Sequence, residues 1–193
     1  EAGHTVVGLR IPGLDPVHKV TIVPRGRALG ITASLPEEDR HSYRKEWMEG
    51  QLAMLFGGRV AEEMTFGPES VTTGAGNDIE RATGMARRMV TEFGFSDKLG
   101  RLRYADNEEE VFLGHSVARQ KNVSDATAAL IDEEVRRMVE EGRDQARKIL
   151  TEHRDDLDML ANALLEFESL SGDDIDALLR GEPIVRPTEN DMP

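Results

Sequence analysis

Cysteine is absent from the 193 residues, which excludes disulfides and thiolate metal sites and leaves His, Asp and Glu as the side chains able to hold a metal ion. That absence also suits a reducing compartment. Aromatic residues make up only 5% of the chain, and positive charge is in deficit, 24 Lys and Arg against 37 Asp and Glu, for a net charge of -13 and a pI near 4.9. A surface of that sign repels phosphate backbones, so no nucleic-acid partner is expected. No apolar run nears the ~20 residues of a membrane span, and no signal peptide opens the chain. The Gly74-Ala75-Gly76 loop is not followed by Lys-Ser or Lys-Thr, so it is no phosphate cradle. The stretch is therefore expected to be soluble and not to bind nucleotide by itself. It also lacks an initiator Met and opens on Glu1-Ala2-Gly3-His4, which reads as part of a longer chain.

What is present, 38% hydrophobic and 32% charged residues, is enough for one core built by burial alone. Glu1 to Leu9 reads as the later part of a helix, stopped by Ile11-Pro12-Gly13. Val17 to Val23 is rich in β-branched residues and reads as a strand ended by Pro24. A second short run, Ala28 to Ala33, completes a small hairpin. Gly30 inside it marks either a bulge or a close backbone approach. From about Ser42, Trp47, Met48, Leu52, Leu55, Phe56, Val60 and Met64 recur at helical spacing, interrupted by Gly57-Gly58. That pair either kinks the helix or lets another backbone pack closely. Phe66-Gly67-Pro68 ends the segment. Asn77 to Phe93 is helical again, with Gly94 as its stop. Residues 96–124 read as an irregular connector with one short strand around Leu102. Three helices follow: a long one carrying Ala128 to Ile149, one carrying Leu157 to Leu165, and one opened by Ser171. The last has Asp174 three residues on and Leu170 and Ile175 around it, the spacing of a capping box with a hydrophobic staple. The fold class is mainly α, with a small hairpin and a C-terminal helical part.

Glu1 and His4, three apart on a helix, share a face. A histidine immediately before Glu1 would complete His-Glu-Ala-Gly-His, two imidazoles four apart that bind zinc with the Glu between them as base. On spacing alone, a surface Glu beside a packed His is the more common account of such a pair. The extended pattern with a third, downstream histidine is excluded, because Val7 and Arg10 stand where it needs Gly and His. A carboxylate must then be the third ligand. Asp78 opens its helix on the flank of Ala82, Met85 and Met89, aimed at packed surface; it either binds metal or merely favours the helix N-terminus. Glu62 and Glu63 are rivals for the same role. His18, His41, His115 and His153 show no metal-ligand spacing and read as surface or hydrogen-bonding residues.

Several strings resemble the FtsH family of AAA+ zinc proteases. They are Glu1-Ala2-Gly3-His4, Pro24-Arg25-Gly26-Arg27-Ala28-Leu29-Gly30, Leu35-Pro36-Glu37-Glu38-Asp39, Phe56-Gly57-Gly58-Arg59-Val60-Ala61-Glu62-Glu63, Thr72-Thr73-Gly74-Ala75-Gly76-Asn77-Asp78 and Met89-Val90-Thr91-Glu92-Phe93-Gly94-Phe95-Ser96. They come in family order and span about half the chain. The resemblance implies a zinc endopeptidase domain over residues 1–182, with a metal-site half at 1–95 and a helical half at 96–182, followed by a flexible tail at 183–193. It implies His4 as second zinc-binding imidazole, Asp78 as third ligand, Glu1 as catalytic base, and one Zn2+ per chain. The family's first histidine would precede Glu1. Polypeptide substrate is expected to add as a strand at Leu29, Gly30 and Ile31, an edge whose backbone bonds tolerate many sequences. For the whole protein the resemblance implies degradation of unfolded, damaged and short-lived membrane and cytoplasmic proteins. It further implies an ATP-using module, a homo-hexamer and an anchor in the bacterial inner membrane, all outside these residues, with the peptidase on the cytoplasmic side. The rival reading is a non-catalytic helical module for oligomerisation.

Overall fold

The computed structural model describes residues 1–24, 26, 30–35, 42–104 and 123–184. Helix α2, Lys45–Phe66, is its spine. The apolar positions of α2 recur at threes and fours, and Met48, Leu52, Leu55, Phe56 and Val60 are all buried. They are covered by α1 (Ala2–Arg10), α3 (Gly76–Thr91) and α4 (Asp125–Glu152), each of which packs on α2. Fully buried leucines such as Leu52, Leu150 and Leu160 contribute roughly 2 kcal/mol each. Gly67 ends α2 at φ 86 and ψ 157, a conformation open essentially to glycine alone, and its N–H bonds back to Glu63.

Strand β1, Val17–Thr21, pairs antiparallel with β2, Ile31–Ser34, with a bulge between Val17 and Lys19. The bulge breaks simple alternation and turns both Val17 and Val20 into the core. The expected hairpin is in fact a three-stranded sheet, because β3, Ser169–Ser171, pairs with β1 on its other side to give the order β2-β1-β3. After α5, Arg154–Phe167, and β3, the chain enters α6, Gly172–Leu179, through the expected capping box. The Ser171 side chain accepts from the Asp174 N–H, and the Asp174 carboxylate accepts from the Ser171 N–H at 2.8 Å. Leu170 and Ile175 on either side are fully buried.

The connector differs from expectation. Leu102 is exposed and lies in irregular chain, because the segment before it is held by side chains and not by a ladder. Ser96 Oγ donates to Glu134 Oε2 of α4 at 2.7 Å and accepts from the Leu99 N–H. Arg137 donates twice to the same carboxylate, and Lys98 Nζ stands 3.3 Å from it. Glu134 is only 1% exposed, so it tolerates burial because each oxygen is paired. The Arg137 guanidinium, helped by Ser96 and Lys98, holds its carboxyl down at about 2 against the cost of burial. Residues 25, 27–29, 36–41, 105–122 and 185–193 lie outside the described residues.

Candidate metal and catalytic site

Glycine brings α1 against α2. A Cβ on Gly57 would lie 2.6 Å from the Gly3 carbonyl oxygen and 2.8 Å from His4 Cα, and a Cβ on Gly3 would strike the Gly57 oxygen in return. A Cβ on Gly58 would sit 2.5 Å from His4 Nε2. The pair Gly57-Gly58 therefore serves close approach, and α2 runs through it unbroken. Over this flat patch, His4 Nδ1 hydrogen-bonds the Met54 carbonyl at 2.8 Å. A carbonyl only accepts, so Nδ1 carries a proton, and Nε2 on the other side of the ring is the nitrogen left to face a partner.

Asp78 arrives in the first turn of α3 from a loop that α2 also holds. Arg59 Nη2 donates to the Thr72 carbonyl at 2.9 Å, and the Thr72 N–H donates to Glu62 Oε1 at 3.0 Å. Both backbone polar groups of one loop residue are thus gripped by two side chains on neighbouring turns of α2. Thr72 Oγ1 then caps the single turn Thr73–Ala75, which runs directly into α3. The outcome is His4 Nε2 at 3.3 Å from Asp78 Oδ2, with the two side chains 15% and 23% exposed. That is cover enough to weaken solvent screening, with an opening left to the outside.

The pair fits a zinc ion. Two donors each about 2.0–2.1 Å from a tetrahedral zinc stand about 3.3 Å apart. A second fitting feature is the protonated Nδ1 held by a carbonyl, the arrangement that orients metal-binding imidazoles. The rivals are otherwise engaged: Glu62 accepts from Thr72, and Glu63 pairs with Arg147 of α4. Among the described residues no group of three His, Cys, Asp or Glu converges, so His4 and Asp78 stand as a pair.

Glu1 caps α1 one turn before His4. Its Oε2 accepts from Thr32 Oγ1 of β2 at 2.6 Å, and its carbonyl accepts from the Thr5 N–H and hydroxyl. A Cβ on Gly30 would lie 2.6 Å from Glu1 Cγ, so this glycine marks close approach, the bulge being on β1 instead. Ile31 follows as an exposed residue of β2, whose outer edge is unpaired among the described residues. Leu29 lies outside the described residues, as do His41 and His115. His18 is exposed on β1, and His153 at the α4 to α5 junction places Nδ1 3.3 Å from Asp156.

The model of peptidase family M41 matches residues 1–178. The chain belongs to peptidase family M41. Similar proteins include three named "ATP-dependent zinc metalloprotease FtsH". That of Caulobacter vibrioides is 57% identical over 189 residues, 98% of this chain and 30% of the relative. That of Photobacterium profundum is 48% identical over 96% of this chain and 27% of its own length. That of Haemophilus influenzae is 48% identical over 97% and 30%. The chain thus spans less than a third of the length of these M41 relatives. Against this background the residues that reading by spacing missed are Thr32, Met54, Arg59 and Thr72. Their only sequence signal is membership of, or closeness to, the strings quoted above.

Proposed function

We propose that this chain is the zinc endopeptidase part of an ATP-dependent, membrane-anchored protease, with His4 and Asp78 as metal ligands and Glu1 as general base. The observation that carries the reading is the 3.3 Å approach of His4 Nε2 to Asp78 Oδ2 between elements far apart in sequence. The ligand set is completed by the histidine that the family pattern carries immediately ahead of Glu1. When bound, zinc supplies a Lewis acid and brings the pKa of water toward neutrality.

The chain's own residues do the rest. Glu1, one turn from His4, takes a proton from the attacking water and returns it to the leaving amine. The edge of β2 that is unpaired among the described residues, with Ile31 on it and Gly30 just before it, receives an extended polypeptide through backbone bonds, Leu29 being the third residue assigned to this role. Recognition of that kind suits a protease of many unfolded or damaged proteins. ATP dependence follows the names of the relatives; the six-subunit ring and the anchor in the bacterial inner membrane, with the peptidase facing the cytoplasm, follow the family resemblance. Among the described residues no helix is long and apolar enough to cross a membrane.

Metal analysis of the full-length protein tests the reading. One zinc per chain, lost in Asp78→Ala, is expected; unchanged metal content in that variant would remove the third ligand. Glu1→Gln should keep zinc and lose casein cleavage, and a variant that still cleaves would dismiss Glu1 as base.

A further inference from the structure

We propose that strand β2 positions the Glu1 carboxylate, Thr32 supplying the hydrogen bond that fixes it and Gly30 the gap that admits it. The proposal rests on the reading of Glu1 as general base. Gly30 and Thr32 are two residues apart, so they share one face of the extended chain, and both meet the same side chain. Thr32 Oγ1 lies 2.6 Å from Glu1 Oε2 and 3.3 Å from the Glu1 carbonyl oxygen. A hydroxyl has one proton to give, and the shorter, charge-assisted bond to the carboxylate takes it. On the same side, a Cβ at Gly30 would lie 2.7 Å from Oε1 and 2.9 Å from Cδ. One oxygen is thus tied and the other faces bare backbone.

The terminal torsion of glutamate is broad and roughly two-fold. An untethered carboxylate at the start of a helix would sample orientations in which neither oxygen meets the proton to be removed. The Thr32 bond selects one orientation, and the missing Cβ of Gly30 leaves room for it. Because β2 also carries the edge that is unpaired among the described residues, the strand that would align a polypeptide is the strand that aligns the base. A substrate added there and the Glu1 carboxylate are registered to one piece of backbone.

The test compares Thr32→Val, Thr32→Ser and Glu1→Gln in the zinc-loaded, full-length protein with a fluorogenic peptide. Thr32→Val keeps the branched shape and removes the donor. It should lower kcat by about 10- to 100-fold, the scale of a misplaced reacting group, with KM, zinc content and thermal midpoint close to wild type. Thr32→Ser should restore kcat to within about threefold of wild type. The double variant Glu1→Gln with Thr32→Val should be no slower than Glu1→Gln alone. Wild-type kcat in Thr32→Val, or an undiminished further loss in the Glu1→Gln background, overturns the proposal while leaving Glu1 as base. Normal cleavage by Glu1→Gln overturns the base itself. Should Thr32→Val fail to fold, Thr32→Ala removes the same donor without crowding and is judged by the same comparison.

Discussion

Gly3 and Gly57 meet backbone to backbone where α1 crosses α2, each occupying the space that a Cβ on the other would need. Alanine at position 57 would gain about 1 kcal/mol in helix propensity. It would also meet a carbonyl oxygen at 2.6 Å, and backbone cannot step aside as a flexible side chain does. Overpacking of this kind costs about 1–3 kcal/mol. Gly57→Ala is therefore expected to lower stability by up to about 2 kcal/mol net in urea unfolding and to weaken zinc binding as His4 is pushed away. A variant with wild-type zinc affinity would mean that the helices separate freely.

The grip of Arg59 on the Thr72 carbonyl at 2.9 Å holds the loop that leads to Asp78. Arg59→Met keeps the aliphatic stem and removes the donor. Zinc affinity should fall by about tenfold, as for other outer-shell partners, while folding stability changes by no more than about 1.5 kcal/mol. Competition with a fluorescent chelator reads the first and urea unfolding the second. Undiminished affinity would show that the loop holds itself.

Glu134 sets a pH dependence. Its carboxyl is held at about 2 in the folded protein, below its ordinary 4.5, mainly by Arg137. Folding therefore favours the ionised form. The contribution is complete above about pH 4.5 and is lost as pH falls toward 2, amounting to on the order of 2–3 kcal/mol. Glu134→Gln should lose that amount at pH 7 and approach the wild type near pH 2.5. A difference in unfolding free energy that stays constant across this range would exclude the linkage.

Ser171 ends β3 and caps α6, where its hydroxyl accepts from the Asp174 N–H at 3.2 Å. Ser171→Ala should cost about 1 kcal/mol. Hydrogen exchange should rise first at the start of α6. Unchanged protection there would show the cap to be dispensable.

What could be read from spacing was whatever repeats. The stripes of α2 to α5 recur at threes and fours, and the Ser171 to Asp174 box is a local pattern, so all were visible without coordinates. β3 escaped because three residues, with Leu170 alone fully buried, carry no period. The opposite error came at Leu102, where one apolar residue in a polar stretch suggested a strand that the Glu134 network makes unnecessary. Gly57-Gly58 showed that something unusual happens, but kink and close approach differ only in what lies opposite, and Gly3 is far away in sequence. Glu62 and Glu63 could not be told from Asp78 as facing partners of His4 for the same reason. Their engagements, with Thr72 and with Arg147, are set by tertiary packing. The pairing of Thr32 with Glu1 left no trace at all in spacing.

β3 closes the sheet from the far end of the described chain, Ser171 lying opposite Lys19. A ribosome reads these two positions at widely separated times, so β1 waits with one side bare until residue 171 has left the exit tunnel. Pairing over such a span is slow as well as late. The strand that would steady Glu1 thus belongs to a sheet finished long after Glu1 itself has emerged, and a shorter nascent chain holds that carboxylate without the full scaffold behind it.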